Sequence, residues 1–437
     1  MEDSVVNFPS QSVSDLEKLS EEYGLKVAKA IRAEWFHGET SRFGSATKYT
    51  TNVNNYHKLR LYSRGEQSIQ KYKNELSING DLSYLNLDWK PVPIIPKFVD
   101  IVVNGMAQRS YEINAFSQDS YGISKRTEYM ESMLRDIRSK EYNDLAQQQF
   151  GVDLYENDKD TLPDTEEELA LHMQLNYKQA VELAEEQAIN VLLENSDYDL
   201  VRRRCLYDLA TLGISATKTT FDYSDGARVK YVDPADLVYS YTESPYFDDI
   251  YYVGEVKELP INELVKEFPE LTEEDIKNIT ETSGDPLSYR TNVDRNKVYV
   301  LYFNYKTHMN DVYKLKTVAS GGEKVIEKDD TFNPPKNKDG DFERLEKVIE
   351  TIYEGVYVIG SNKLLRWRMM DNMMRTGSNF STVKMPYQIV APRMYKGKIE
   401  SLVSRITGFA DMIQLTHLKI QQVMARMVPD GVYLDAD

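Results

Sequence analysis

Apolar residues recur at helical spacing in the first strong element, where Leu16, Leu19, Tyr23, Val27, Ala30 and Ile31 mark one face as far as Trp35. Ahead of it, Ser14-Asp-Leu-Glu17 has the capping-box pattern, in which a Ser oxygen and a Glu carboxylate each satisfy an orphan amide. A polar stretch over 40–55 separates this helix from a second helical segment, Tyr56 to Leu76, with Leu59, Tyr62, Ile69 and Tyr72 set among Lys and Arg. Three prolines between Trp89 and Pro96 exclude a helix interior there. Phe98, Val99, Ile101, Val102 and Val103 then make an apolar run, expected to be buried, that ends at Gly105. Residues 123–150 predict a charged amphipathic helix. Thr165-Glu-Glu-Glu168 predicts the cap of a long helix carrying Leu169, Met173, Tyr177, Val181, Leu183 and Ile189. Another helix runs from Tyr198 through Cys205 and Leu209 to a break at Gly213.

After Gly213 the period changes to two. Ile214–Tyr223, Ala227–Val232, Leu237–Tyr241 and Ile250–Val256 predict short strands divided by Asp-Gly, Asp-Pro and Ser-Pro turns. A helical stretch from Ile261 to Ile279 and a strand from Val298 to Tyr305 follow. Ser320–Asp341 predicts a long exposed loop, Phe342–Thr351 a short helix, and Gly355–Arg368 strand-like pieces. The most regular element comes last. Ile399, Leu402, Val403, Ile406, Phe409, Ile413, Ile420, Val423, Met424 and Met427 predict a helix of about thirty residues, roughly 45 Å long, stopped by Pro429-Asp-Gly431. Residues 429–437 resemble the opening of another strand.

Composition narrows the function classes. With 437 residues and 41% apolar content the chain can bury a sizeable core, in roughly three units by length. The formal charge is −17, poorly suited to wrapping a phosphate backbone over the whole surface. A single cysteine, Cys205, excludes an internal disulfide and a four-cysteine zinc site. No apolar run reaches the length of a membrane span, and the first ten residues lack the basic flank and apolar core of a signal peptide, so the expected class is soluble and unexported. Charge is uneven. Residues 151–200 hold 14 Asp or Glu and two Lys, a solvated helix face in the ordinary case, whereas 361–430 hold 11 Lys or Arg and four acids. In the second region Lys363, Arg366, Arg368, Arg375 and Lys384 lie near Trp367, a pattern that suits a nucleic acid or an acidic protein partner.

Catalytic motifs fail one by one. The only Gly-Lys, Gly397-Lys398, is followed by Ile399 and is no P-loop. The five histidines (37, 57, 172, 308 and 417) have no metal-ligand spacing. Gly213-Ile-Ser-Ala-Thr217 lacks the second glycine of a nucleophile elbow. Asn337, Asp339, Gly340 and Glu346 fall at calcium-loop offsets, but Pro335 holds the first ligand position.

Several segments in fixed order carry a resemblance. They are Arg64-Gly-Glu-Gln67 followed by Trp89 and Ile94–Gly105; Tyr207-Asp-Leu-Ala-Thr-Leu-Gly213; Val232-Asp-Pro-Ala-Asp-Leu-Val238; Asp248-Asp-Ile-Tyr-Tyr-Val253; Leu264-Val-Lys-Glu-Phe-Pro269; and Met385-Pro-Tyr-Gln-Ile-Val-Ala-Pro392 leading to Gln421-Gln422. Their order, across nearly the whole chain, resembles the portal proteins of tailed double-stranded DNA bacteriophages. The acidic helical insert and the wing-like region are similar to those of short-tailed, crAss-like phages.

The resemblance implies an α+β portal protomer with a wing over residues 1–296 (helical to about 213, then β-rich), a clip with its leading strand over 297–392, and a stem helix over 393–428. Family members continue into a tunnel loop and crown, and this sequence stops nine residues after Val428. It implies a dodecameric ring at one capsid vertex of the virion, assembled in the host cytoplasm. That ring contacts the major capsid protein, the terminase large subunit and a head–tail adaptor or tail protein, and passes double-stranded DNA through its channel. It implies no catalytic residue, cofactor, metal or membrane. Lys363, Arg366, Trp367 and Arg368 would then form a partner-facing clip surface. Ile406, Phe409, Ile413, Ile420 and Met424 would pack the stem against its neighbours, leaving Ser404, Asp411, Gln414 and Gln421 for the channel. A DNA-packaging enzyme such as a terminase component is the rival reading, disfavoured by the missing P-loop and carboxylate metal site. A helical scaffold protein, with no closed ring, is the third.

Overall fold

Helices dominate the chain to residue 211 and strands dominate after it, so the 48% helix and 26% strand are segregated as in an α+β fold. The computed structural model describes residues 7–41, 44–77, 87–152, 154–158, 161–175, 177–224, 226–282, 297–317, 323–333, 342–361, 363–376 and 379–426. Two compact units emerge, one from Met1–Gln108 with Leu200–Asp437, the other Arg109–Asp199.

The larger unit opens with α1 (Asp15–Lys18), α2 (Glu21–Phe36), the hairpin β1–β2 (Gly38–Ser41, Gly44–Thr47), α3 (Lys48–Arg64), α4 (Gln70–Leu76) and α5 (Ile94–Ala107). Ser14 caps α1 as its sequence predicts, but the chain breaks at Leu19 and Ser20 caps α2 afresh. Helix α5 is only half buried: Ile95, Val99 and Val103 face inward, while Phe98, Ile101 and Val102 of the expected buried run are exposed, as a 3.6-residue period requires of so apolar a segment.

The smaller unit holds α6 (Ser120–Arg138), α7 (Lys140–Phe150), α8 (Glu166–Leu175) and α9 (Ala180–Asn195). The single helices expected over 123–150 and from 165 onward are each two, the first parted at Ser139 and the second into α8, which ends at Leu175, and α9, which starts at Ala180. Its core is small, with Met133, Leu169 and Met173 at its centre.

Back in the larger unit, α10 (Tyr198–Thr211) leads through Gly213 (φ +82°) into β3 (Ser215–Asp222) and β4 (Gly226–Val232). Next come β5 (Leu237–Tyr239), β6 (Tyr252–Pro260), α11 (Ile261–Glu267), α12 (Glu273–Thr282), β7 (Lys297–Thr317), β8 (Glu323–Lys328), β9 (Phe342–Val358) and β10 (Lys363–Met369). The chain then makes β11 (Met374–Thr376), β12 (Asn379–Lys384), β13 (Tyr387–Val390), β14 (Met394–Tyr395), β15 (Lys398–Ile399) and α13 (Leu402–Arg426). The main sheet has the order β10-β9-β7-β6-β5, with β8 also on β7, and a smaller sheet has the order β13-β3-β4. The main sheet takes strands from both sides of residue 297, where the wing-to-clip boundary was expected.

Two expectations fail at β8 and β9. The segment 342–351 is not a helix but half of a long antiparallel pairing, from Phe342↔Lys316 to Val358↔Val300. Leu345, Val348, Ile349 and Ile352 have helical spacing, yet the β-branched run beside β7 is better served by cross-strand packing. Within the expected loop 320–341, Glu323–Lys328 is a strand on β7. The calcium-like positions 337–340 and the segment 427–437 lie outside the described residues.

Helix α2 covers the main sheet. Tyr23, Val27, Ala28, Ile31 and Trp35 pack on Tyr252, Leu301, Phe303, Tyr305 and Tyr357. Trp35 Nε1 donates to the Tyr239 carbonyl (3.1 Å) and to the Tyr252 hydroxyl (3.0 Å), so the indole is buried without an orphaned donor. A second core joins α3, α5, β3, β13 and the start of α13 through Tyr62, Val99, Val103, Ile214, Ile389 and Val403. This second core holds α13 in place.

Candidate assembly surface

Helix α13 begins at Leu402, after the expected stem start at residue 393 and the first stripe residue Ile399, because Ser401 and Ser404 cap it reciprocally: Ser404 N–H donates to Ser401 Oγ (2.9 Å) and Ser401 N–H to Ser404 Oγ (3.1 Å). Its inner face carries Val403, Ala410, Gln414 and Leu418, all buried, against a cluster built on α3 and α5.

Polar bonds fix the same face. Asp411 accepts from the Tyr62 hydroxyl (2.9 Å), the Tyr72 hydroxyl (2.7 Å) and the Lys71 ammonium. Burial alone would raise the Asp411 carboxyl, but the Lys71, Tyr72 and Tyr62 donors outweigh it and hold the carboxyl below its usual range. The Tyr62 hydroxyl is pushed up to about 12, first by burial and then by Asp411. Gln414, 1% exposed, accepts from Val92 N–H (2.8 Å) and donates to the Lys90 carbonyl (3.3 Å). Gln421 accepts from Asp88 N–H (3.2 Å). The proline-rich segment 88–93 cannot satisfy its own amides in a helix, and α13 supplies the acceptors.

All four polar residues expected at a channel wall therefore bond back to their own chain, Ser404 through Ser401. Only Ser404, the cap, is exposed. Substituting Gln414 with Leu should leave Val92 N–H buried without an acceptor and cost about 1–3 kcal/mol, read as a lowered urea midpoint by circular dichroism. An unchanged midpoint would mean that water reaches Val92.

The outer face is the reverse. Phe409, Met412, Ile413, Ile420, Val423 and Met424 are all exposed, from 43% for Ile413 to 65% for Phe409 and Met424. At about 100° per residue they fall within an arc of about 120°. Phe409, Ile413, Ile420 and Met424, expected to pack the helix against neighbours, thus lie together on one exposed stripe that has no partner among the described residues. Ile406 sits at its margin, half-buried against the core.

The residues expected at the clip surface each make contacts within the fold. Lys363 pairs with Asp275 of α12 and holds that carboxyl at about 2. Arg366 lies over the Phe268 ring, 5.0 Å from its centroid. Trp367 stacks on Tyr353 (5.2 Å, 12°) and donates from Nε1 to the Lys18 carbonyl (2.9 Å). A Cβ at Gly24 would collide with this ring, so α2 can lie against it only with glycine there. Arg368 pairs with Glu354 and Asp371. Reversing the charge at Lys363 and Arg368 would strike structural pairs before any partner.

Sequence reading missed two constellations. One is Arg60 with Asp208, Asp233 and Tyr231, which joins α3, α10 and β4. The other is a groove of about 770 Å³ between the two sheets, where Lys218 donates to Glu255 (3.0 Å) and to the Tyr387 hydroxyl (2.9 Å). Burial pulls the Lys218 ammonium down, and Glu255 partly restores it. Its charges are largely matched within the chain, since Lys257 also pairs with Glu255 and Arg368 with Glu354. The 31 tyrosines, and for the first constellation the segments Tyr207–Gly213 and Val232–Val238 that carry its two aspartates, are the sequence signals that point toward them. Among the described residues no group of three or more His, Cys, Asp or Glu could hold a metal ion, and no helix is long and apolar enough to cross a membrane. No known family profile matches the chain, and no curated protein matches it.

Proposed function

We propose that this chain is the protomer of a phage-type portal: a ring at one capsid vertex through which double-stranded DNA is packaged and later ejected. The observation that carries it is the outward apolar stripe of α13, set on a helix whose other face is pinned by Asp411, Gln414 and Leu418. A rigid helix with six large apolar groups in water calls for a partner helix, and the segment order that resembles portal proteins makes the partner a neighbouring copy. Twelve copies then form the stem, while the sheets and the N-terminal helices supply clip and wing.

The net charge of −17 suits a conduit. A strongly basic lumen would hold DNA by counterion release, whereas an acidic protomer lets it slide. The ring would meet the major capsid protein, the terminase large subunit and a head–tail adaptor or tail protein at its outer surfaces, in the host cytoplasm during assembly and in the virion afterwards. Negative-stain microscopy of the purified protein tests the reading. Closed annular particles with a central hole are expected, and fields of single small particles at micromolar concentration would refute it.

A further inference from the structure

Among the described residues no strand pairs with the outer edge of β9 over residues 343–349: β10 pairs only from Tyr353 to Val358, and β12 lies beside β9 near Glu350, where Val383 N–H donates to the Glu350 carboxylate (3.0 Å). Just above this stretch, the carbonyls of Glu350 and Ile352 are reached from the outer side by the Arg375 guanidinium (2.9 Å) and by Met370 N–H (2.9 Å). The register with β7 is unbroken along β9. Strand alternation therefore turns the backbone groups of Val348, Glu346 and Arg344 outward and those of Leu345 toward β7. Glu343, Leu345 and Lys347 share one face of the strand, and all three are exposed, Leu345 by 47%.

Charged side chains on an edge usually deter pairing. This edge differs in its order. Glu343-Arg344-Leu345-Glu346-Lys347 is antisymmetric in charge about Leu345, so the same segment read backwards sets a cation against every carboxylate. We propose that the β9 edges of two copies pair antiparallel about a two-fold axis at Leu345.

In that register Glu343 lies across from Lys347 of the second copy, Arg344 across from Glu346, and Leu345 across from itself. The Arg344–Glu346 positions exchange both backbone hydrogen bonds. The two Leu345 residues form the close, non-bonded pair, with Cα atoms about 4.5 Å apart. Arg344 is already positioned by the carbonyls of Asp330 (3.0 Å) and Phe332 (2.6 Å), and it pairs with Glu346 of its own strand.

Other axes fail on charge or on backbone access: one at Ile349 would need the Glu350 and Ile352 carbonyls, which Arg375 and Met370 N–H already occupy. An axis at Glu343, Arg344, Glu346 or Lys347 sets that charge against itself, and one at Val348 sets Glu346 against Glu350. The opposite edge of the ribbon, β8, has no such solution. An axis at Val325 opposes Glu323 to Glu327, and one at Ile326 opposes Lys324 to Lys328. A two-fold contact is self-complementary and cannot be the repeating contact of a cyclic ring. The association is therefore additional to ring closure and does not rest on the portal reading.

The test is disulfide trapping in the full chain, with the wild type as blank because Cys205 is its only thiol. A Cα separation of about 4.5 Å lies within disulfide reach. On mild oxidation Leu345→Cys should form a covalent dimer on a non-reducing gel at least tenfold faster than Lys347→Cys or Val325→Cys, which are also exposed. Adding Glu343→Lys to Leu345→Cys should slow trapping about tenfold, and adding Lys347→Glu as well should restore it, since the antisymmetry returns with both changes. Circular dichroism checks that each variant is folded. Equal trapping at all three positions, faster trapping at Val325→Cys, or failure of the double charge exchange to restore the rate would each overturn the proposal.

Discussion

Replacing Arg60 with methionine is expected to destabilise the chain by about 2–4 kcal/mol at pH 7, the cost of leaving one buried carboxylate, Asp208, and one half-buried carboxylate, Asp233, without their cation. Arg60 bonds Asp233 through both terminal nitrogens (2.9 and 2.7 Å) and reaches Asp208 at 3.4 Å. Asp208 is only 4% exposed and takes its other bond from the Tyr231 hydroxyl. Burial raises the Asp208 carboxyl above its usual range, and Tyr231 and Arg60 oppose that rise. Without Arg60 the rise is larger. A carboxyl whose folded pKa exceeds its unfolded value favours folding as pH falls, because the folded state then binds more protons. The deficit of Arg60→Met should thus shrink between pH 7 and pH 5. Urea unfolding at the two pH values reads this directly. A loss under about 1 kcal/mol, or one that does not depend on pH, would show hydrated carboxylates rather than a sealed lock.

The second large effect concerns assembly, not folding. Ile413→Asp should leave the isolated chain within about 1 kcal/mol of wild type, because the side chain is 43% exposed and away from the pinned face. In the proposed ring the same carboxylate enters a dry contact between helices, at a cost of several kcal/mol per protomer. Ring yield by size exclusion should fall to background with an unchanged circular dichroism spectrum. Gln421→Ala, which gives up two exposed bonds, to Asp88 N–H and to His417 Nε2, should change ring yield little. Rings from Ile413→Asp in wild-type yield would remove the stripe from the interface.

The sequence was most legible where structure is local. The cap at Ser14, the end of α10 at Gly213, and the hairpin strands β3 and β4 follow from neighbours within a few residues. The β9 segment was not legible, since its spacing fits a helix and only β7, some forty residues earlier, decides otherwise. The stripe of α13 was visible as periodicity, but periodicity cannot say which face the chain itself covers. Gln414 and Asp411 show why. They look like solvent-facing polar residues until the unpaired amide of Val92 and the hydroxyls of Tyr62 and Tyr72 are set against them. The pairs made by the basic group around Trp367 were hidden for the same reason: Asp275 lies far from Lys363 in sequence, and Glu354 sits on a different strand from Arg368.

The ring itself is tested most directly by the mass of the purified chain in solution. Mass photometry at physiological salt should find a dominant closed species near 600 kDa, about twelve copies of 50.6 kDa. It should disappear in Ile413→Asp and persist in Leu345→Cys under reducing conditions, which separates ring closure from the two-fold contact at β9. A wild-type distribution confined to monomers and dimers would contradict the account.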